Sequence, residues 1–228
     1  MVTAHRRVVQ EINGATAALV ESGLADDQNP AFESKVGTDD YLVRYRRHGV
    51  VGSAPRNTPY DDAYRELRQA RSFNVLMLDG AMLQMEYEFR ERRLLRHRLA
   101  FLPSPDLLEY QNDPEHYLEE RIFADVVEKG VVTVPCRFDY DSRDSVAVEL
   151  AHPVSHLTLG QYTGCRIPVS AGVTPHAFVD FVLRSFYNTA SSIVDVRLPN
   201  PLLRFEDCIT PEERRTIHVG VPTHTNGA

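Results

Sequence analysis

The fold is decided by one stretch, in which Asn74-Val75-Leu76-Met77-Leu78 and Met82-Leu83-Gln84-Met85-Glu86-Tyr87-Glu88-Phe89 flank Asp79-Gly80. Two apolar-rich runs around Asp-Gly predict a β-hairpin, because Asp and Gly supply the backbone angles of a tight turn. In the second run Leu83, Met85, Tyr87 and Phe89 share one face, and Gln84, Glu86, Glu88 and Arg90 share the other. One face should be core and the other wet. After a charged turn, Leu95, His97, Leu99 and Phe101 alternate with Arg96 and Arg98, so a third antiparallel strand should run to Pro103 and make a meander. Arg96 and Arg98 then fall across from Gln84, Glu86 and Glu88 on the wet face, where opposite charges support strand pairing.

Downstream, Pro114 to Lys129 carries Leu118, Ile122, Val126 and Val127 at helical spacing and stops at Gly130. Val132, Val134, Cys136, Phe138 and Tyr140 alternate with Thr133, Arg137 and Asp139, predicting a strand. Val146, Val148 and Leu150 predict another after an Asp-Ser-Arg-Asp turn. Residues 152 to 169 read as a loop with strand fragments. Thr174 reads as a helix N-cap with Pro175 in the first helical position, and Phe178, Phe181, Val182, Phe186 and Tyr187 lie on one side. Upstream, Val8, Val9, Ile12, Ala15, Leu19 and Val20 predict an amphipathic helix over 4 to 22, closed by Gly23. Residues 26 to 40 read as irregular, 41 to 45 as a short strand, 49 to 59 as a loop, and 61 to 71 as a helix with early acids. Asn188 onward shows no sustained period, and 223 to 228 reads as a frayed tail. The fold class is α+β: an antiparallel curved sheet covered on one face by amphipathic helices, with residues 1 to 228 as a single domain.

The length of 228 residues can bury a real core, and 43% hydrophobic with 25% charged residues is ordinary globular usage. The formal net charge of -7 excludes a molecule-wide attraction to nucleic acid or anionic membrane, so any phosphate site must be local. Lys occurs only at Lys35 and Lys129, leaving the basic residues overwhelmingly Arg, which suits bidentate contacts with phosphate or carboxylate. Cys136, Cys165 and Cys208 are an odd, widely spaced set, no apolar h-region follows the opening Met-Val-Thr-Ala-His-Arg-Arg, and no run approaches a membrane span. These features predict a cytoplasmic protein with reduced thiols and no membrane partner.

The densest polar cluster is Ala151-His152-Pro153-Val154-Ser155-His156, followed by Tyr162, Cys165 and Arg166. Along an extended strand four residues span roughly 13 Å, too far for two imidazoles to share one ion, so His152 and His156 converge only if Pro153 turns the chain. The reading carries no metal and no cofactor. A metal-free phosphotransfer site needs a base, an acid and guanidinium groups for developing charge. His152, His156 and Arg166 are the candidate catalytic residues, and Arg98, Arg137, Asp139 and Tyr162 the candidate substrate-binding ones. The competing assignments are histidines that merely tie a loop to neighbouring backbone and arginines that merely pair across the sheet. Glu86 and Glu88 have the spacing of paired carboxylates, but without Trp they read as solvated strand residues rather than a glycosidase pair. Neither Gly-x-x-x-x-Gly-Lys-Ser/Thr nor Gly-x-Gly-x-x-Gly occurs.

The run from Ser72-Phe73-Asn74 through Asp79-Gly80, Leu83 to Phe89 and His97-Arg98-Leu99-Ala100-Phe101-Leu102-Pro103-Ser104-Pro105 resembles a bacterial uncharacterised family, domain of unknown function twenty-two-ninety. Arg137-Phe138-Asp139-Tyr140, His152 to Gly160, Cys165-Arg166-Ile167-Pro168 and Thr174-Pro175 extend the resemblance over about 65 to 190, and the family implies no assigned chemistry. The Asp-Gly hairpin, the Arg-containing strand and His-x-x-x-His are also similar to TumE-type toxins of toxin-antitoxin systems. That similarity implies RNA cleavage or phage defence, with RNA or a protein encoded nearby as partner. Two functions follow as expectations: a metal-independent ribonuclease-like or other phosphotransfer enzyme, or a non-catalytic adaptor or regulatory module binding protein or nucleic acid.

Overall fold

The computed structural model describes residues 2–45, 58–105, 134–162, 164–188 and 195–222. Helix α1 (Ala4–Glu21) leads into strands β1 (Ala25–Gln28), β2 (Phe32–Lys35) and β3 (Tyr41–Arg44), then helix α2 (Tyr60–Gln69). The hairpin strands β4 (Val75–Met77) and β5 (Met82–Arg90) follow, then β6 (Arg93–Leu102), β7 (Cys136–Asp141), β8 (Ser155–Leu159) and β9 (Ile167–Pro168). Helices α3 (Pro175–Phe186) and α4 (Pro211–Arg214) come last among the described elements.

The nine described strands form one open sheet with antiparallel pairing throughout. β5 is its organising strand: one edge takes β4 near its start and β3 near its end, while the other pairs with β6 along its full length. The meander continues through β6, β7, β8 and β9. Parity along β5 sends Leu83, Met85, Tyr87 and Phe89 into the core, where Leu99, Phe101, Phe138 and Leu157 join them from the next three strands. Helix α1 adds Val8, Ile12, Ala15 and Leu19, and α3 adds Phe178, Val179, Val182 and Leu183. Phe101 stacks on Phe186 at 4.3 Å between centroids, and Phe138 meets Phe181 edge-on at 5.2 Å. A smaller apolar group under α2 comprises Tyr64, Leu67, Phe73, Leu76 and Met82.

Local chemistry sets the start of α3. Thr174 is extended, its hydroxyl accepts from the Ala177 N–H at 3.2 Å, and Pro175 fills the first helical position, where no donor is needed. The residue before this cap is pinned on both sides of its backbone: the Tyr87 hydroxyl donates to the Val173 carbonyl, and the Val173 N–H donates to His97 Nε2, each at 2.9 Å. Replacing Thr174 with Ala should therefore lower unfolding free energy by about 1 kcal/mol without changing the denaturant slope, measured by urea titration.

The structure departs from the sequence reading in four places. Residues 26 to 40, read as irregular, contain most of β1 and all of β2, polar edge segments made extended by pairing with β4 and β3. Val146, Val148 and Leu150 do not form a strand, although Val148 makes an isolated bridge to His152. Val148 and Leu150 are 57% and 51% exposed, and Leu150 takes φ 62°, so their alternation reflects no buried face. The strand expected from Val132 begins at Cys136, with Val134 lying before it. Residues 211–214 form a short helix with a complete capping box between Thr210 and Glu213. The helix expected over 114 to 130, most of the 49 to 59 loop and the tail at 223 to 228 lie outside the described residues.

Candidate functional site

The side chains opposite the helices define the site. Cα pairing across four strands aligns Glu86 on β5 with Arg98 on β6, Arg98 with Asp139 on β7, and Asp139 with His156 on β8. One pleat away runs Glu88, Arg96 and Asp141, and on the other side Gln84, Ala100, Arg137 and Thr158. The face expected to be wet is instead half enclosed. Gln84 is buried and its amide donates to the Ser72 carbonyl at 2.5 Å, and the other residues of these rows line a cavity of about 890 Å³.

Alternating charge organises the floor. Asp139 accepts from Arg98 Nε at 3.3 Å and from Arg137 Nε at 2.5 Å. Burial pushes its carboxyl up, but these two guanidinium groups outweigh burial and hold it below the usual carboxylate value. Arg96 lies between Glu88 at 3.6 Å and Asp141 at 3.4 Å. The expectation that the arginines pair across the sheet is thus met, with Arg98 turned toward Asp139 rather than Glu86. Among the described residues the Glu86 side chain makes no hydrogen bond or ion pair, and burial pushes its carboxyl up against the pull of Arg98, Arg44 and Arg96.

At the β8 end the chain does turn at Pro153. The His152 and His156 rings meet edge to face, with centroids 4.9 Å apart. His156 is 4% exposed, and its Nδ1 lies 3.0 Å from the Pro153 carbonyl oxygen. A carbonyl can only accept, so Nδ1 carries the hydrogen and Nε2 is the basic nitrogen of the neutral ring. Nε2 lies 3.8 Å from Asp139. Burial lowers the His156 pKa despite that carboxylate, which keeps the ring neutral at pH 7. His152 Nδ1 is buried with no hydrogen-bond partner among the described residues.

The other sequence candidates fall around this pair. Arg166 lines the cavity and donates from Nη1 to the Ala151 carbonyl at 3.3 Å, and it has no carboxylate in ion-pairing distance among the described residues. Tyr162 stands on the rim, 74% exposed. His152, His156, Arg166, Arg98, Arg137, Asp139 and Tyr162 therefore line one concavity. Sequence reasoning did not place Glu86 in it as a carboxylate unpaired among the described residues, nor Tyr60 and Arg44 in its wall. No three His, Cys, Asp or Glu side chains gather as a metal centre among the described residues. Cys136 lies in the wall with its thiol pushed up to about 12 by burial, the state of an inert structural cysteine.

These features define an α+β protein with an open antiparallel sheet, helices on its apolar face and a mixed-charge concavity on the other. The chain belongs to the family described as Uncharacterized conserved protein (DUF2290), whose model matches residues 24–221. A curated relative, homocysteine S-methyltransferase 2 of Arabidopsis thaliana, is 24% identical over 163 residues, covering 69% of this chain and 46% of that protein. The chain thus spans about half the length of that relative. No solved structure matches. Among the described residues no helix is long and apolar enough to cross a membrane.

Proposed function

We propose that the concavity performs metal-independent, ribonuclease-like phosphodiester cleavage or a related phosphotransfer, an activity of the kind used in defence or a toxin-antitoxin pair. The observation that carries this reading is the meeting of two imidazoles beside Arg98, Arg137 and Arg166 in one cavity. RNA brings its own nucleophile, the 2′-hydroxyl, and needs a proton acceptor, a proton donor and a cationic environment for phosphorane charge. His156 Nε2 accepts the 2′-hydroxyl proton as the O2′–P bond forms. His152 delivers a proton to the departing 5′-oxygen as the P–O5′ bond breaks. Arg166 holds the non-bridging oxygens, since no carboxylate among the described residues pairs with it.

Purified protein should cleave RNA in excess chelator, and His156→Ala or Arg166→Ala should each slow cleavage by about a hundredfold or more. Because His156 must be neutral to act as base and its pKa is lowered, the rate should fall toward acid with its inflection below 6.5. Folded variants with undiminished rates reject this site. Wild-type protein that leaves broad RNA and DNA panels intact, alone and with proteins encoded nearby, replaces the enzyme reading with that of a binding module.

A further inference from the structure

The cavity carries an acceptor that cleavage does not require. Glu86 sits at the far end of the row from His156, three strand spacings away, or about 14 Å along the floor. Its carboxylate lines the cavity, and Arg98, its direct cross-strand neighbour, is committed to Asp139. Two carboxylate oxygens in a half-buried setting, with no hydrogen-bond donor among the described residues, are an incomplete hydrogen-bonding arrangement that a ligand can complete. The opposite end of the row holds the complementary chemistry, the Arg166 guanidinium and two imidazoles. The whole site therefore suits a molecule with an anion at one end and paired N–H donors at the other.

We infer that Glu86 reads the base of a guanine nucleotide, accepting from N1–H and the N2 amino group while the phosphate lies at the Arg166 and His152 end. This deepens the phosphotransfer reading and rests on it for the placement of the phosphate. Guanine fits better than the other bases because its Watson–Crick edge offers two adjacent donors, which match the two oxygens of one carboxylate. Adenine and cytosine present one amino group beside an acceptor nitrogen, and that acceptor faces the second oxygen with like partial charge. Uracil presents a single N–H between two carbonyls. Burial also leaves Glu86 poorly solvated, with its pKa raised, so a bidentate donor replaces water that the pleated floor partly excludes.

The test is calorimetric titration of the intact protein with guanosine, adenosine, cytidine and uridine 3′-monophosphates, which separates binding from turnover. The guanine nucleotide should bind about tenfold or more tightly than the other three, the scale of one bidentate base contact. Both Glu86→Gln and Glu86→Ala should abolish that preference while leaving the weaker three affinities within about twofold, and Arg166→Ala should weaken all four alike. Equal affinities in the wild type, a preference that survives both Glu86 variants, or no binding of any of the four overturns the inference. RNA cleaved without base preference would defeat the Glu86 assignment and leave the cleavage reading intact. Glu86-dependent guanine preference without RNA cleavage would do the reverse.

Discussion

Glu11→Leu should lower the unfolding free energy by about 4 kcal/mol. Glu11 is a buried carboxylate on α1 whose Oε1 accepts from the backbone N–H groups of Leu202 at 2.5 Å and Leu203 at 3.2 Å. Its Oε2 accepts from the His176 N–H at 3.2 Å, a first-turn donor of α3 with no partner inside its own helix. Charge-assisted bonds of this kind contribute about 1.5 to 3 kcal/mol each, and Leu would leave three donors unsatisfied while itself fitting the apolar surroundings. Glu11→Gln should cost less, about 2 kcal/mol, because one amide oxygen can retain the Leu202 and Leu203 bonds while the amide nitrogen faces the His176 N–H. Urea unfolding at pH 7 gives both values. A Leu variant as stable as wild type would mean that the cost of burying the carboxylate cancels its three bonds.

Acid should unfold the protein in part through His97. Its ring is fully enclosed between Tyr87 and Tyr140, with centroids 5.5 and 5.6 Å away, and its Nε2 must be unprotonated to accept from Val173 N–H. Burial, with a smaller contribution from His156, lowers its pKa to about 4 against the opposing pull of Asp139. The unfolded chain then binds this proton near 6.5 while the folded chain refuses it until about 4. Stability is complete above pH 6.5 and is lost as pH falls through the window to about 4, for a total of about 3 kcal/mol. His5 and His156, also lowered, act in the same sense, whereas the raised carboxyls of Glu11 and Glu86 act in the opposite one. The His97 share is isolated by comparing urea unfolding of wild type and His97→Gln at several pH values. The Gln variant can still accept from Val173 N–H, so its stability should be lower by a constant amount at neutral pH and should converge on wild type in acid. Parallel curves would remove His97 from the account.

The meander was legible because one face of β5 and β6 is buried, so composition repeats with the period of the pleat. The same parity placed His97 on the apolar side, but nothing in the sequence points to Val173 as its partner. β1 and β2 were illegible because Ala-Asp-Asp-Gln and Phe-Glu-Ser-Lys lack a continuous apolar face, and neighbouring strands make them extended. Val148 and Leu150 show the converse error, apolar members of an alternating pattern that face solvent. The candidate residues were chosen by chemical type, and their meeting depended on a turn at Pro153 and on three strand registers that only pairing determines. Glu86 looked solvated for the same reason: its environment is set by Arg98 and Asp139, one and two strands away.

The contact of α1 with α3 carries a consequence for biosynthesis. Residues near 8 to 19 and 178 to 183 seal the same apolar sheet face, although more than 150 positions separate them in the chain. On the ribosome the meander can pair as soon as β7 and β8 emerge, with α1 already available, but the part of its apolar face that α3 covers stays bare until α3 and then Leu202 have left the exit tunnel. Synthesis at about 5 to 20 residues per second makes that exposure last several seconds, the interval in which a holding chaperone or a neighbouring nascent chain competes for the sheet.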